Sequence, residues 1–428
     1  MATYPTVITV VSSVPQEQEF WGPYPYLGNR FIFGFNFVSG NITVAKSADL
    51  GVTWTECDAA NARARGSAVV TFATCADADY PATPKIYVVF LQTATNLFRL
   101  ATFDVSTETW DAGDIQSVLG YTAGPPSPGK DDNSWFIAHR ATDNKVVMFV
   151  ASGLEAVGPG NRWRCQYATC DLTGLAWSAY TQVGTAGGDN RNYFSNGCIA
   201  GDGGLTHFFF RKSGDVTVVN NRMSLQHVSL TSGGALSANQ EMIPEQVANT
   251  EGFRRSSNPT SRLESGVLTL YVPVRFLNSD VTPKLYIQRL LKAASAVTPT
   301  WSDITIKTGE FPVTPGQPTI TVAPLCVFDN NGVLVAMWGL NNFDGLGAVT
   351  STEIRQSLSS DGVIWPADTL FYTGPAGTTI GGAFIGGRNT TGSIFGFAAE
   401  FGDGIADDIL NYWEQCSRER SVSASPPA

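Results

Sequence analysis

The chain has 428 residues, of which 43% are apolar and 15% charged, so it holds ample material for a packed core and does not have the composition of a disordered protein. Its 37 acidic residues against 27 basic ones leave a net charge of -10, and the densest basic runs are only "RWR" at 162–164 and "RR" at 254–255, which argues against nucleic acid as a partner. The 43 glycines, 23 prolines and 25 phenylalanines beside five methionines make a turn-rich, aromatic-rich β composition.

The N-terminal "MATYPTVITVVSS" contains a strand-like apolar run, "TVITVVSS", with no Lys or Arg before it, so no secretory signal is expected, and no stretch approaches the length of a membrane span. The seven cysteines, Cys57, Cys75, Cys165, Cys170, Cys198, Cys326 and Cys416, follow no ligand or disulfide spacing and read as buried reduced thiols. The expectation is a soluble protein made in the cytosol, a description that also fits a component of a virus particle.

Further along, tryptophan recurs before a short polar strand: "VTWTEC" at Trp54, "ETWDAGDI" at Trp110, "LAWSAYTQVG" at Trp177, "PTWSDITIKTG" at Trp301 and "VIWPADTLFYTG" at Trp365. The separations are 56, 67, 124 and 64 residues, and 124 is twice 62, with Leu236 in "GALSANQEM" standing at the missing place. Between these marks runs a second pattern, an apolar strand, a turn with Asp, Asn or Gly, and a longer aromatic and β-branched strand. Examples are "SWFIAHRATDNKVVMFVASG" from 134 and "APLCVFDNNGVLVAMWGL" from 323. A third strand such as "RWRCQYATCD" then leads to the Trp-bearing fourth.

Four antiparallel strands per period, with no helical periodicity, predict a β-propeller of four-stranded blades occupying residues 1–417 as one domain, followed by a polar tail, 418–428. Dividing 428 by about 62 suggests seven blades, the N-terminal strand serving as the fourth of the last blade and so removing the open edge. Six is the alternative, should the terminal strands form an appendage.

Within this frame "SADLGVTW", with Ser47, Asp49, Gly51, Thr53 and Trp54, and the shorter "SSDGVIW", with Ser359, Asp361, Gly362 and Trp365, fall in third-to-fourth-strand turns. Both resemble the Asp-box, S-x-D-x-G-x-T-W, of sialidases and other propellers with BNR-type repeats; Ile364 stands where that motif has Thr. The resemblance implies the propeller fold and places the boxes on the outer rim, away from a central pocket. Sialidase chemistry would further require three arginines, a Tyr–Glu pair and an Asp. The family's F-R-I-P motif is not present: "GNRFIFGF" offers Arg30 without the proline.

Candidate ligand-binding residues are therefore sought at the channel. Arg140, Arg191, Arg254, Arg255 and Arg388 lie in segments entering inner strands, where an arginine either faces the axis or bonds at the surface or between blades, and Arg191, Tyr193, Arg254 and Arg255 near one mouth are the candidates to bind an acidic or sugar ligand. Trp21, in the non-repeating "EFWGPYPYLG", is the expected exposed aromatic, whereas Trp135, Trp163, Trp338 and Trp413 read as core. His139, His207 and His227 have no metal-ligand spacing, the acidic turns "CADADY" and "DGIADD" match no calcium loop, and neither a metal nor a cofactor is expected.

The function this sequence predicts is a non-catalytic binding, attachment or assembly module of a phage or other virus particle. Its partners would be a glycan or surface receptor and, through the tail, a neighbouring subunit. An exo-acting glycoside hydrolase of the sialidase type is the alternative.

Overall fold

A computed structural model describes residues 6–8, 20–36, 40–49, 54–64, 72–92, 95, 97–120, 135–157, 160–184, 193–213, 223–244, 251–256, 259–278, 284–311, 313–314, 317–318, 320–322, 326–330, 332–344, 348–374, 379–380, 397–402 and 409–413. Six antiparallel sheets follow one another along the chain. The first strands of sheets I to IV are Phe20–Tyr26, Phe72–Ala76, Trp135–Arg140 and Tyr193–Ala200. In sheets V and VI the first strand is interrupted, giving Glu251–Ser256 with Thr260–Glu264, and Ile320–Val322 with Cys326–Asn330.

Sheet VII joins the two ends of the chain: Thr379–Ile380, Phe397–Gly402 and Ile409–Trp413 are completed by Thr6–Ile8, whose Val7 lies opposite Asn411. The N-terminal strand thus covers the edge that the last three strands would expose. Sheet VII meets sheet I through Phe20–Tyr26 and sheet VI through Val333–Phe343, so the sheets close into a propeller ring. A two-stranded ribbon, Val313–Thr314 with Gln317–Pro318, lies between sheets V and VI in sequence. The tail, 418–428, lies outside the described residues.

Buried apolar clusters are shared between neighbouring sheets rather than held within one. Phe31 and Phe33 of sheet I pack with Phe72, Phe90 and Phe103 of sheet II, and equivalent clusters join II to III, III to IV, IV to V and V to VI. Strands buried on both faces explain why "KIYVVFLQ" and "VLVAMWGL" read as near-continuous apolar runs. The repeat tryptophan lies in the short opening segment of the fourth strand in sheets II and III, Thr109–Trp110 and Ala176–Trp177, with Trp110 opposite Phe103 and Trp177 opposite Cys170. Leu236 bridges Leu230 at the corresponding place in sheet IV.

Antiparallel order puts all first-to-second and third-to-fourth turns at one end of the ring, here the turn end. The second-to-third and fourth-to-first connections lie at the other, the loop end.

Candidate ligand-binding site

At the turn end, the third-to-fourth turns of sheets I to IV and VI are each tied by an oxygen acceptor near their start. In sheet VI, Ser359 Oγ accepts from the Gly362 N–H at 2.9 Å, and Asp361 Oδ1 accepts from the Val363 and Ile364 N–H groups at 2.8 and 2.9 Å. Those N–H groups, with the Ser359 hydroxyl, bring the Asp361 carboxyl down to about 2. Gly362, at φ +69°, supplies the left-handed step that a side chain would strain. In sheet I, Ser47 Oγ donates to Asp49 Oδ1 at 2.8 Å and Trp54 is half-buried; Gly51 and Thr53 lie outside the described residues.

The same device recurs where the sequence retains only the tryptophan or its substitute. Asp104 Oδ1 accepts from the Ser106 N–H at 2.8 Å, Asp171 Oδ1 from Thr173 and Gly174 at 2.8 and 3.0 Å, and Thr231 Oγ1 from Ala235 at 3.1 Å. Asp104, Asp171 and Ser359 all stand six residues before their tryptophan. That spacing, rather than the full box, was the signal the sequence carried.

These turns are gripped by the preceding sheet. Arg140, placed by the sequence either at the axis or in a bond between blades, makes the latter: it is buried at the turn end, ion-pairs with Asp143 and donates to the Thr231 carbonyl of sheet IV at 3.2 Å. Asp77 of "CADADY" is likewise buried and accepts from Tyr87 Oη at 2.6 Å, while the Ala78 N–H donates to His139 Nδ1.

The V–VI joint contains a Tyr–Glu–Arg set. Tyr271 Oη and Arg262 donate to Glu264, Lys292 Nζ lies 3.1 Å from the second carboxylate oxygen, and Arg262 also reaches the Gly332 and Ser360 carbonyls at 3.1 and 3.3 Å. Burial raises the Glu264 carboxyl, but the donors outweigh it and hold it below its ordinary value. Tyr271 is fully buried with its phenol pushed upward by desolvation and by Glu264, and a Cβ on Gly362 would come within 3.0 Å of its ring. A tyrosine so placed joins two sheets.

The loop end is chemically different. Tyr193 opens the first strand of sheet IV opposite Lys212, and its ring lies 5.2 Å from the Arg164 guanidinium of sheet III and 5.8 Å from Lys212 Nζ. Arg164 and Arg211 are both buried and both act on the enclosed Cys165 thiol, which burial pushes well up against their pull. In sheet V, Arg255 stands directly opposite Arg275. A chain of net charge -10 thus gathers cations along the loop end of two consecutive sheets, III and IV.

Trp21 is half-buried rather than exposed. It lies opposite Phe33 and packs against the I–II, II–III and III–IV clusters together, the last of which contains Tyr193. A single side chain reaching three inter-sheet cores stands near the ring axis. Trp135 and Trp338 are fully buried, as core tryptophans should be. Arg191 and Arg388, and the side chains of Arg254, Arg255, Trp163 and Trp413, lie outside the described residues. The residues joined to Tyr193 are therefore Arg164 and Lys212, which the sequence reading passed over because both sit inside regular strands. Among the described residues no group of three or more His, Cys, Asp or Glu is arranged to hold a metal ion, and no helix is long and apolar enough to cross a membrane.

No protein-family model matches the chain, and no curated protein matches it in sequence. Solved structures resemble it at low identity. They include the polysaccharide lyase Uly1, at 12% identity and a TM-score of 0.45 over 85% of each chain. An α-L-arabinanase of Penicillium chrysogenum matches at 8% identity and a TM-score of 0.41, over 81% of this chain and 93% of that one. A microbial sialidase, Hz136, matches at 9% identity and a TM-score of 0.35, over 75% and 74%.

Proposed function

We propose that this protein is a non-catalytic propeller that binds an acidic glycan at the loop end of sheets III and IV. The observation that carries this reading is the gathering of Arg164, Arg211 and Lys212 about Tyr193, beside the axial Trp21. Guanidinium groups grip carboxylates through paired charge-assisted hydrogen bonds, and an indole face suits the apolar side of a sugar ring. Attachment to a glycan-bearing surface, as by a phage or other virus particle, is the role such binding would serve. The tail, 418–428, would engage a neighbouring subunit, a reading that rests on its polar sequence.

Titration calorimetry with an oligogalacturonate or sialyllactose against neutral lactose tests the reading. Arg164→Ala removes charge-assisted bonds worth roughly 1.5–3 kcal/mol, which is a loss of about 10- to 100-fold in affinity. Unchanged affinity in a folded Arg164→Ala variant would remove the proposal's basis.

The second reading, an exo-acting glycoside hydrolase, draws on the Tyr271–Glu264 pair with Arg262. Its burial beneath the sheet VI turn supports the structural assignment instead. Turnover of a fluorogenic sialoside, abolished by Tyr271→Phe in a folded protein, would reverse that choice.

A further inference from the structure

Sheets IV and V meet along a seam that contains two of the three histidines. His207 Nδ1 lies 2.9 Å from His227 Nε2, the rings are stacked at 5.2 Å, and His207 Nε2 lies 2.9 Å from Ser295 Oγ of sheet V. Both imidazoles are fully buried. Ser295 also accepts from the Asp202 N–H at 3.1 Å, Ser229 Oγ donates to the Val297 carbonyl at 2.8 Å, and the Trp301 indole N–H donates to Gln240 Oε1 at 3.2 Å. The residues 295–301 of sheet V are thus docked on sheet IV through the histidine pair and its neighbours. Gly201 packs so closely that a Cβ there would collide with the His207 ring.

Both ring nitrogens of His207 are satisfied with the two rings neutral: one proton lies between the two imidazoles and one between His207 and Ser295. A first added proton breaks no bond but places a charge in a dry site. A second turns two N–H groups against each other across 2.9 Å. Charged groups on the packed elements are turned elsewhere. Asp202 accepts from the Leu268 N–H and Glu241 from Gln226; Lys292 pairs with Glu264, Arg289 with Asp303 and Lys307 with Asp368, while Arg211, Lys212 and Arg275 lie towards the loop end. Desolvation accordingly lowers both histidines, His207 to about 3, and His207 lowers His227 further.

We propose that His207 and His227 form an acid-released latch on the joint between sheets IV and V: neutral, the pair closes the seam, and protonation opens it. The sign follows from linkage. An opened seam exposes imidazoles of ordinary affinity, so the open form takes up protons that the closed form refuses, and closure weakens as pH falls below about 6.5. At pH 5 the opening constant rises by about 30-fold for each histidine that becomes exposed.

Hydrogen exchange of the full-length protein at pH 7.5 and 5.0, corrected for the intrinsic pH dependence of exchange, tests this. The expected result is a loss of protection in 295–301 and 202–208 of at least 30-fold, with 334–340 of sheet VI unaffected. The His207→Gln/His227→Gln variant should show no such pH dependence. Undiminished protection at pH 5, or the same loss in the double variant, would overturn the proposal. Should that variant fail to fold, histidine NMR on the wild-type chain decides. Both imidazoles staying neutral until the seam opens supports the latch, and titration near 6.5 with the seam closed refutes it.

Discussion

Replacing Trp110 by alanine tests the claim that the repeat tryptophans hold sheets together rather than serve a ligand. Trp110 is 6% exposed, lies edge-on to Phe103 at 5.2 Å and to Phe33 of sheet I at 6.1 Å, and has the Arg63 guanidinium 5.2 Å above its ring. A tryptophan buries roughly 200 Å², worth about 5 kcal/mol at 25 cal/mol per Å². Partial collapse of the site and the compact unfolded state reduce the expected loss to about 4 kcal/mol. For a 428-residue chain unfolding as one unit, an entropy of roughly 2.1 cal/mol/K per residue makes about 0.9 kcal/mol/K. The midpoint should fall by about 4–5 °C in calorimetry, and ligand affinity should not change. Trp365 is half-buried beside the exposed Ile364, so Trp365→Ala should cost about half as much. A Trp110→Ala midpoint within 1 °C of wild type, or a larger loss for Trp365→Ala, would refute the reasoning.

Gly362→Ala forces a left-handed residue to carry a Cβ 2.8 Å from Leu334 Cδ1 and 3.0 Å from the Tyr271 ring; thermal denaturation should show a loss of about 1–3 kcal/mol. Gly203→Ala, also at positive φ but with open space around it, should cost less, about 1 kcal/mol. The carboxyl of Glu264 is held below its ordinary value, so its contribution is present above about pH 4.5 and lost as pH falls through the lowered value. Glu264→Gln should flatten that acid limb of the stability profile measured by chemical denaturation. Cys57, Cys75, Cys165, Cys170 and Cys198 are buried, with Cys57 raised to about 11 and Cys170 to about 12, chiefly by burial. In the folded protein they should resist iodoacetamide at pH 8 and react only on unfolding, as peptide mapping would show.

Much of the ring was legible because its signals are local. Trp110 and Trp177 mark the fourth strands they were expected to mark, Leu236 takes the missing place, and Thr6–Ile8 completes the last sheet. The joints were not legible, since they pair residues far apart in sequence: Arg140 with Thr231, Arg262 with Gly332 and Ser360, His207 with Ser295. An arginine at the end of a first strand looks the same in sequence whether it faces the axis or the next sheet. For the same reason Tyr193 was singled out but Arg164 and Lys212 were not, because strand alternation hides two cations that meet only across the III–IV interface. Trp21 was expected to be exposed because its segment does not repeat. Its burial comes from the ring axis, where clusters from four sheets converge on one side chain.

The most direct test of the binding account is calorimetric titration of the full chain with an oligogalacturonate, repeated with Arg164→Ala and at raised salt. Binding that weakens at least tenfold in the variant, while it remains folded, and that declines with salt is the predicted result. Equal affinity for neutral and acidic oligosaccharides, insensitive to Arg164 and to salt, would contradict it.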